Sequence, residues 1–78
     1  LDALEMDLRH LPAPEPMLRI LQALPSLAPG RSLVARTPYR PQPLLDRLQP
    51  LGYRVEVVVS AAGDAWVHIV AGDGITGD

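Results

Sequence analysis

The chain has 78 residues, a net charge of −2 and no cysteine. This length allows one small domain, and without cysteine the chain can form no disulfide, thiolate metal site or thiol nucleophile. The seven basic residues are all arginine and form no cluster, which disfavours nucleic-acid binding. No apolar run approaches the ~20 residues that cross a bilayer, so we expect a cytoplasmic protein with no membrane partner.

In the first half of the chain, the spacing of apolar residues changes from the alternation of a strand to the three-to-four-residue period of a helix. Residues 3–9 (ALEMDLR) alternate apolar and charged side chains, which predicts a half-buried strand. Residues 11–16 (LPAPEP), called the helix entrance below, then precede a helical pattern that stops near Pro25. The inward stripe of this helix is Met17, Ile20, Leu21 and Leu24.

The second half contains one short strand, a second helix and two further strands. Residues 32–37 (SLVART) predict the strand, and residues 43–52 (PLLDRLQPLG) predict the helix. The inward residues of that helix are Leu44, Leu45, Leu48 and Leu51. Residues 53–59 and 65–70 predict two strands joined by a turn at SAAGD, and we expect a flexible tail at 72–78.

The predicted order is β-α-β-α-β-β, within a single domain at residues 1–71. Two helices cannot cover both faces of a four-stranded sheet, so they should lie on one face and leave the other open. The fold class is therefore α+β, a two-layer α/β sandwich with a mixed four-stranded sheet. The last two strands should form a hairpin.

The segment MDLRHLPAPEP resembles the start of SirA/TusA-like proteins, which are small bacterial domains with this element order. The matching residues are Asp7, Leu8, Arg9, Leu11, Pro14 and Pro16, followed by the turn Pro29-Gly30. The resemblance covers residues 4–71 and implies that the second strand lies inside the sheet. Two departures occur: His10 replaces a glycine, and Ala13 stands where those proteins carry a cysteine.

In the sulfur-relay members of that superfamily, the cysteine carries a persulfide. A helix N-terminus lowers the pKa of such a thiol and populates its nucleophilic thiolate. Ala13 has no heteroatom, so this chain cannot transfer sulfur in that way. The chain resembles a cysteine-lacking branch catalogued as a domain of unknown function. Relatives joined to hemerythrin-like domains imply a redox or nitrogen-oxide respiration setting.

The sequence suggests two candidate ligand sites, one for an anion and one for a metal ion, and decides neither. Arg9, His10 and Glu15 at the helix entrance could bind an anion, or Arg9 could pair with a nearby carboxylate while His10 faces water. A metal would require His10 and His68 to converge with a carboxylate, and their separation carries no ligand signature. We predict no bound metal and no cofactor.

The open face of the sheet is the other candidate surface. If Val67 and Ile69 face the helices, the outward residues are Arg54, Glu56, Val58, Trp66, His68 and Val70. An exposed tryptophan beside valines and charged residues is typical of a docking surface for a protein partner or a second copy. Alternatively, long arginine side chains could partly cover the tryptophan, or the opposite register could bury Trp66 and His68.

The remaining polar residues form no catalytic pattern. Arg36, Tyr39 and Arg40 could suit a nucleotide or single-stranded RNA, but two arginines in an acidic domain are more often solvated loop charges, so we expect no nucleic-acid partner. Asp46 and Asp64 read as helix-surface and turn residues. We therefore expect a non-enzymatic interaction or regulatory module built on a TusA-like scaffold. The alternative is a small-anion or metal-binding protein that uses the helix entrance.

Overall fold

The computed structural model describes residues 3–71 and confirms the predicted order of elements. Its helices and strands are β1 (Ala3–Asp7), α1 (Glu15–Ala23), β2 (Ser32–Thr37), α2 (Gln42–Leu48), β3 (Arg54–Val59) and β4 (Ala65–Val70). A short 3₁₀ turn extends each helix, at Leu24–Ser26 after α1 and at Gln49–Leu51 after α2. The tail predicted at 72–78 lies outside the described residues.

The strands form one mixed sheet in the order β1-β2-β4-β3. β1 pairs with β2 in parallel, and β4 lies antiparallel to both β2 and β3. The hairpin turn between β3 and β4 is closed by Ser60 and Asp64, whose backbone groups are joined by a 2.8 Å hydrogen bond. β2 and β4 are therefore the inner strands, and β1 and β3 are the edges of the sheet.

Both helices pack on one face of this sheet, as the two-layer prediction requires. The buried core that joins helices to strands is Leu8, Ile20, Leu24, Leu33, Ala35, Leu44, Leu48, Ala65, Val67 and Ile69. β4 alternates strictly, since Ala65, Val67 and Ile69 are fully buried while Trp66 and His68 are exposed. Each fully buried leucine or isoleucine contributes about 1.5–3 kcal/mol through its removal from water.

Prolines and one glycine set where α2 begins and ends. Pro41 and Pro43 lie at its start, where a missing backbone N–H costs no hydrogen bond. Gly52 ends the following turn in the left-handed conformation, with φ at +86°. The prediction that Leu51 points inward is wrong: its side chain is 66% exposed, because the α-helix stops at Leu48 and the 3₁₀ turn rotates Leu51 outward.

None of the helices within residues 3–71 has the length and apolar character that crossing a bilayer requires.

Candidate functional site: the open face of the sheet

The outward side chains of the four strands lie in three rows across the open face. The first row contains Asp7, Arg36, Trp66 and Val58. The second row contains Glu5, Val34, His68 and Glu56. The third row contains Ala3, Ser32, Val70 and Arg54. The open face therefore brings together all six residues that the sequence assigned to a docking surface.

The first row holds a stacked pair on the inner strands β2 and β4, at the end of the sheet next to the β3–β4 turn. The guanidinium carbon of Arg36 lies 4.1 Å from the centroid of the Trp66 ring, within the range of a cation–π interaction. Trp66 remains 43% exposed and its cross-strand neighbour Val58 remains 65% exposed. We call Arg36, Val58 and Trp66 the Trp66 patch, which combines an aromatic ring, an aliphatic side chain and a fixed cation.

The β3–β4 turn fixes the position of Arg36. Its Nη2 donates a 2.7 Å hydrogen bond to Oδ2 of Asp64, whose side chain is only 17% exposed. The Ser60 hydroxyl donates to the other carboxylate oxygen of Asp64. These two hydrogen bonds, first from Ser60 and then from Arg36, hold the pKa of Asp64 below its ordinary value. Asp64 thus stays ionised and keeps Arg36 above the indole.

One polar atom of Arg36 is left without a partner. Its Nε is buried, and no acceptor among residues 3–71 lies within hydrogen-bond reach. An unpaired donor on a charged group is costly, so such atoms are rare in folded proteins outside functional sites. The Trp66 patch is therefore held in place at some cost to the stability of the chain.

The second row places His68 between Val34 and Glu56, with Glu5 beyond Val34. His10 lies elsewhere, in the turn that follows β1. Within the part of the chain that the structure describes, histidine and carboxylate side chains form no group of three that could hold a metal ion. The structure does not bring His10 and His68 together in such a group.

The helix entrance is organised by an ion pair. Nε and Nη2 of Arg9 contact the two carboxylate oxygens of Asp7 at 2.9 and 2.7 Å, and the backbone N–H of Arg9 also donates to Asp7. These hydrogen bonds lower the pKa of Asp7 and raise the pKa of Arg9. Oε1 of Glu15 lies 3.6 Å from Nε of Arg19. The side chain of His10 is exposed. An anion at this entrance would have to displace Asp7 from Arg9.

Ala13 lies at the mouth of an apolar hollow between the two helix starts. The peptide bond from Ala13 to Pro14 is cis. The hollow measures about 90 Å³ and is lined by Ala13, Pro14, Pro16, Met17, Tyr39, Pro41, Pro43 and Leu44. Position 13 therefore contributes apolar surface to this hollow and no reactive group.

The three residues considered for RNA have separate surroundings. Arg36 stacks on Trp66 at the open face, whereas Tyr39 lines the hollow between the helix starts. The Nε of Arg40 donates a 3.0 Å hydrogen bond to Oε1 of Gln42. Arg36 and Tyr39 therefore lie in different parts of the fold, whereas Arg40 follows Tyr39 directly in the loop before α2.

Sequence reasoning missed the contribution of the first two strands to the open face. Alternation in SLVART places Val34 and Arg36 on the same side of β2, but the position of β2 beside β4 depends on the strand order. Glu5 and Asp7 reach this face in the same way, through the pairing of β1 with β2. A period-2 analysis combined with the implied inner position of β2 could have found Arg36.

Comparisons with known proteins agree with this architecture. The chain is similar to the SirA-like protein of Desulfitobacterium hafniense, whose crystal structure superposes with a TM-score of 0.74 at 25% sequence identity. The match covers 88% of this chain and 97% of that protein. No curated protein shows significant sequence similarity to the chain. Residues 5–71 match the profile of DUF2249, described as an uncharacterized conserved protein. The chain belongs to the DUF2249 family and has a SirA-like fold.

Proposed function

We propose that this protein is a non-enzymatic interaction module that binds a protein partner through the open face of its sheet. The Trp66 patch carries the proposal: an exposed indole lies beneath an arginine that an ion pair holds in place. Tryptophan and arginine are the residues that most often dominate binding energy at protein interfaces. Val58 beside them adds exposed aliphatic surface that a partner would cover.

The charges around the patch favour a partner that presents basic groups. Glu5 and Glu56 lie in the adjacent row, and neither carboxylate forms an ion pair with any of residues 3–71. The charge of Arg36 is paired with Asp64, so Arg36 presents a partner with the flat face of its guanidinium group and not with an unpaired charge. A partner with an apolar side chain for Val58 and Trp66 and a lysine or arginine for Glu5 or Glu56 fits this surface.

The helix entrance serves as scaffold in this proposal. Ala13 supplies no thiol for sulfur transfer. Arg9, the cation that an anion would bind, is already paired with Asp7. The redox or nitrogen-oxide setting implied by the family resemblance stays a prediction, as does a cytoplasmic location.

Affinity capture with matched variants tests the proposal. The wild-type chain, Trp66→Ala and Leu51→Ala are immobilised and exposed to extract of the source cells, and bound proteins are quantified by mass spectrometry. Leu51 is the matched control because it is a large apolar residue, 66% exposed, that lies after α2 in the helix layer. We expect a discrete set of proteins that binds the wild type and Leu51→Ala but is lost with Trp66→Ala. Equal capture by all three forms would contradict the proposal.

A further inference from the structure

β3 is an edge strand of the sheet, and it has apolar side chains on both faces. Within residues 3–71, β3 pairs only with β4, and its other edge has no neighbouring strand. Six consecutive residue pairs join β3 to β4, so the strand contains neither a bulge nor a proline. Bulges, prolines and charged side chains, lysine above all, normally keep such an edge from pairing with another chain. The edge of β3 has no bulge, proline or lysine, and its charged residues are Arg54 and Glu56.

The helix layer also leaves β3 incompletely covered. Tyr53, Val55 and Val57 point toward the helices but are only half-buried, whereas the corresponding residues of β4 are fully buried. A groove of about 440 Å³ lies between α2 and these side chains, and its far side is mostly polar: Arg40, Gln42, Leu45, Asp46 and Gln49. The half-buried side chains of β3 are therefore accessible to a strand added beside it.

The charges on β3 indicate which strand fits. On the open face, Arg54 and Glu56 are two residues apart, and neither side chain forms an ion pair with any described residue. If two copies of β3 pair antiparallel around a two-fold axis at Val55, Arg54 of each copy lies opposite Glu56 of the other. Moving the axis to Glu56 would oppose two glutamates, and moving it to Arg54 would oppose two arginines. Opposite charges in directly facing positions stabilise an antiparallel pair, and like charges destabilise it.

The other edge of the sheet lacks the same charge complementarity. The outward side chains of β1 are Ala3, Glu5 and Asp7, so a second copy of this strand offers no basic group opposite its carboxylates. Of the two edge strands, β3 is thus the one whose charges complement those of a second antiparallel copy.

We propose that two copies of this chain associate through their β3 strands, with the two-fold axis at Val55, to form a continuous eight-stranded sheet. In this register Val55 faces its own copy, Val57 faces Tyr53, and Val58 faces Gly52, which has no side chain. The Trp66 patch therefore stays exposed on the same face of the doubled sheet. The pairing engages Glu56, so a basic group of the partner proposed for that patch would then bind Glu5.

Charge-swap variants test the pairing by analytical ultracentrifugation. Arg54→Glu and Glu56→Arg each place like charges opposite one another in both symmetric pairs, so each should weaken dimerisation roughly tenfold. The double variant Arg54→Glu/Glu56→Arg restores both pairs in swapped order and should dimerise like the wild type. Glu5→Arg makes the same charge change as Glu56→Arg on the opposite edge and should leave the dimer unaffected.

A cysteine probe tests the register directly, because the wild-type chain has no cysteine. Facing Cα atoms of an antiparallel pair lie about 4.5–5.5 Å apart, within the span of a disulfide. Mild oxidation should therefore cross-link Val55→Cys into a covalent dimer. In the proposed register the two copies of position 57 lie about 14 Å apart, so Val57→Cys should stay uncross-linked.

Each alternative outcome overturns the proposal. A chain that stays monomeric at about 1 mM refutes dimerisation. A dimer that ignores both charge reversals, or that cross-links through Val57→Cys, uses another surface or register. A dimer abolished by Trp66→Ala but insensitive to the charge swaps would place the interface on the open face. If the dimer behaves as proposed while Trp66→Ala leaves partner capture unchanged, the proposed function alone fails.

Discussion

A double-mutant cycle on Arg36 and Trp66 measures the strength of the stacked pair in the first row of the open face. The single variants are Arg36→Gln and Trp66→Leu, and the double variant combines them. The coupling isolates the Arg36–Trp66 interaction, because the ion pair from Arg36 to Asp64 is lost equally with either residue at position 66.

The structure sets the size of the expected coupling. The guanidinium carbon lies 4.1 Å from the ring centroid, and the side chain of Arg36 is 26% exposed. Cation–π pairs contribute about 0.5–1 kcal/mol at exposed sites and ~2 kcal/mol when fully desolvated. This half-covered pair should therefore couple by about 1 kcal/mol, which corresponds to roughly 4–8 °C in Tm for a domain of this size.

Urea unfolding followed by far-ultraviolet circular dichroism provides the free energies of unfolding for the four proteins. All four should unfold with the same m-value, which shows that the variants change stability and not the extent of unfolding. A coupling below ~0.3 kcal/mol would be indistinguishable from additivity. That result would refute the conclusion that Arg36 is held against the indole in solution.

Three further predictions concern the turn and the core. The pKa of the Asp64 carboxyl, measured by carbon-13 NMR, should lie below its ordinary value of 3.8, and Ser60→Ala should raise it. The ionised carboxylate stabilises the folded chain fully at pH values above 3.8, and this stabilisation is lost as the pH falls through the lowered pKa. Leu48→Ala should reduce the free energy of unfolding by about 2–5 kcal/mol through a core cavity, whereas the exposed Leu51→Ala should change it by less than ~0.5 kcal/mol in urea unfolding. Gly52→Ala should cost about 1–2 kcal/mol in the same assay, because φ is +86° although no atom obstructs a Cβ there.

Distinct results would contradict each of these predictions. An Asp64 pKa at or above 3.8, or one unchanged in Ser60→Ala, would show that the turn does not hold the carboxylate as described. Equal effects of Leu48→Ala and Leu51→Ala would mean that α2 packs differently on the sheet. A neutral Gly52→Ala would mean that the chain leaves α2 without a left-handed residue.

Local patterns in the sequence were sufficient to predict the elements and their faces. Strict alternation in AWVHIV placed Trp66 and His68 outward, because a strand with one buried face has little freedom of register. Leu51 was misassigned because its spacing continues the helical period, while the turn through Pro50 changes the direction of its side chain.

The composition of the site depended on long-range pairing that a single sequence does not specify. Arg36 reaches Trp66 because β2 lies beside β4, and Asp64 reaches Arg36 because the β3–β4 turn is at the same end of the sheet. At the helix entrance, the sequence offered Arg9 both as an anion ligand and as an ion-pair partner. The contact with Asp7 follows the second interpretation.

Site-specific photo-cross-linking in the source cells shows which surface of the chain binds a partner. A photoreactive amino acid replaces Val58, which is 65% exposed on the open face, or Leu51, which is 66% exposed in the helix layer. Because the exposures match, random collisions should label both positions equally. Adducts to a second copy of this chain are set aside, because the proposed dimer places both positions near it. Among other proteins, we expect a discrete cross-linked partner from position 58 and none from position 51. The same adducts from both positions, or adducts from position 51 alone, would show that the open face is not the binding surface.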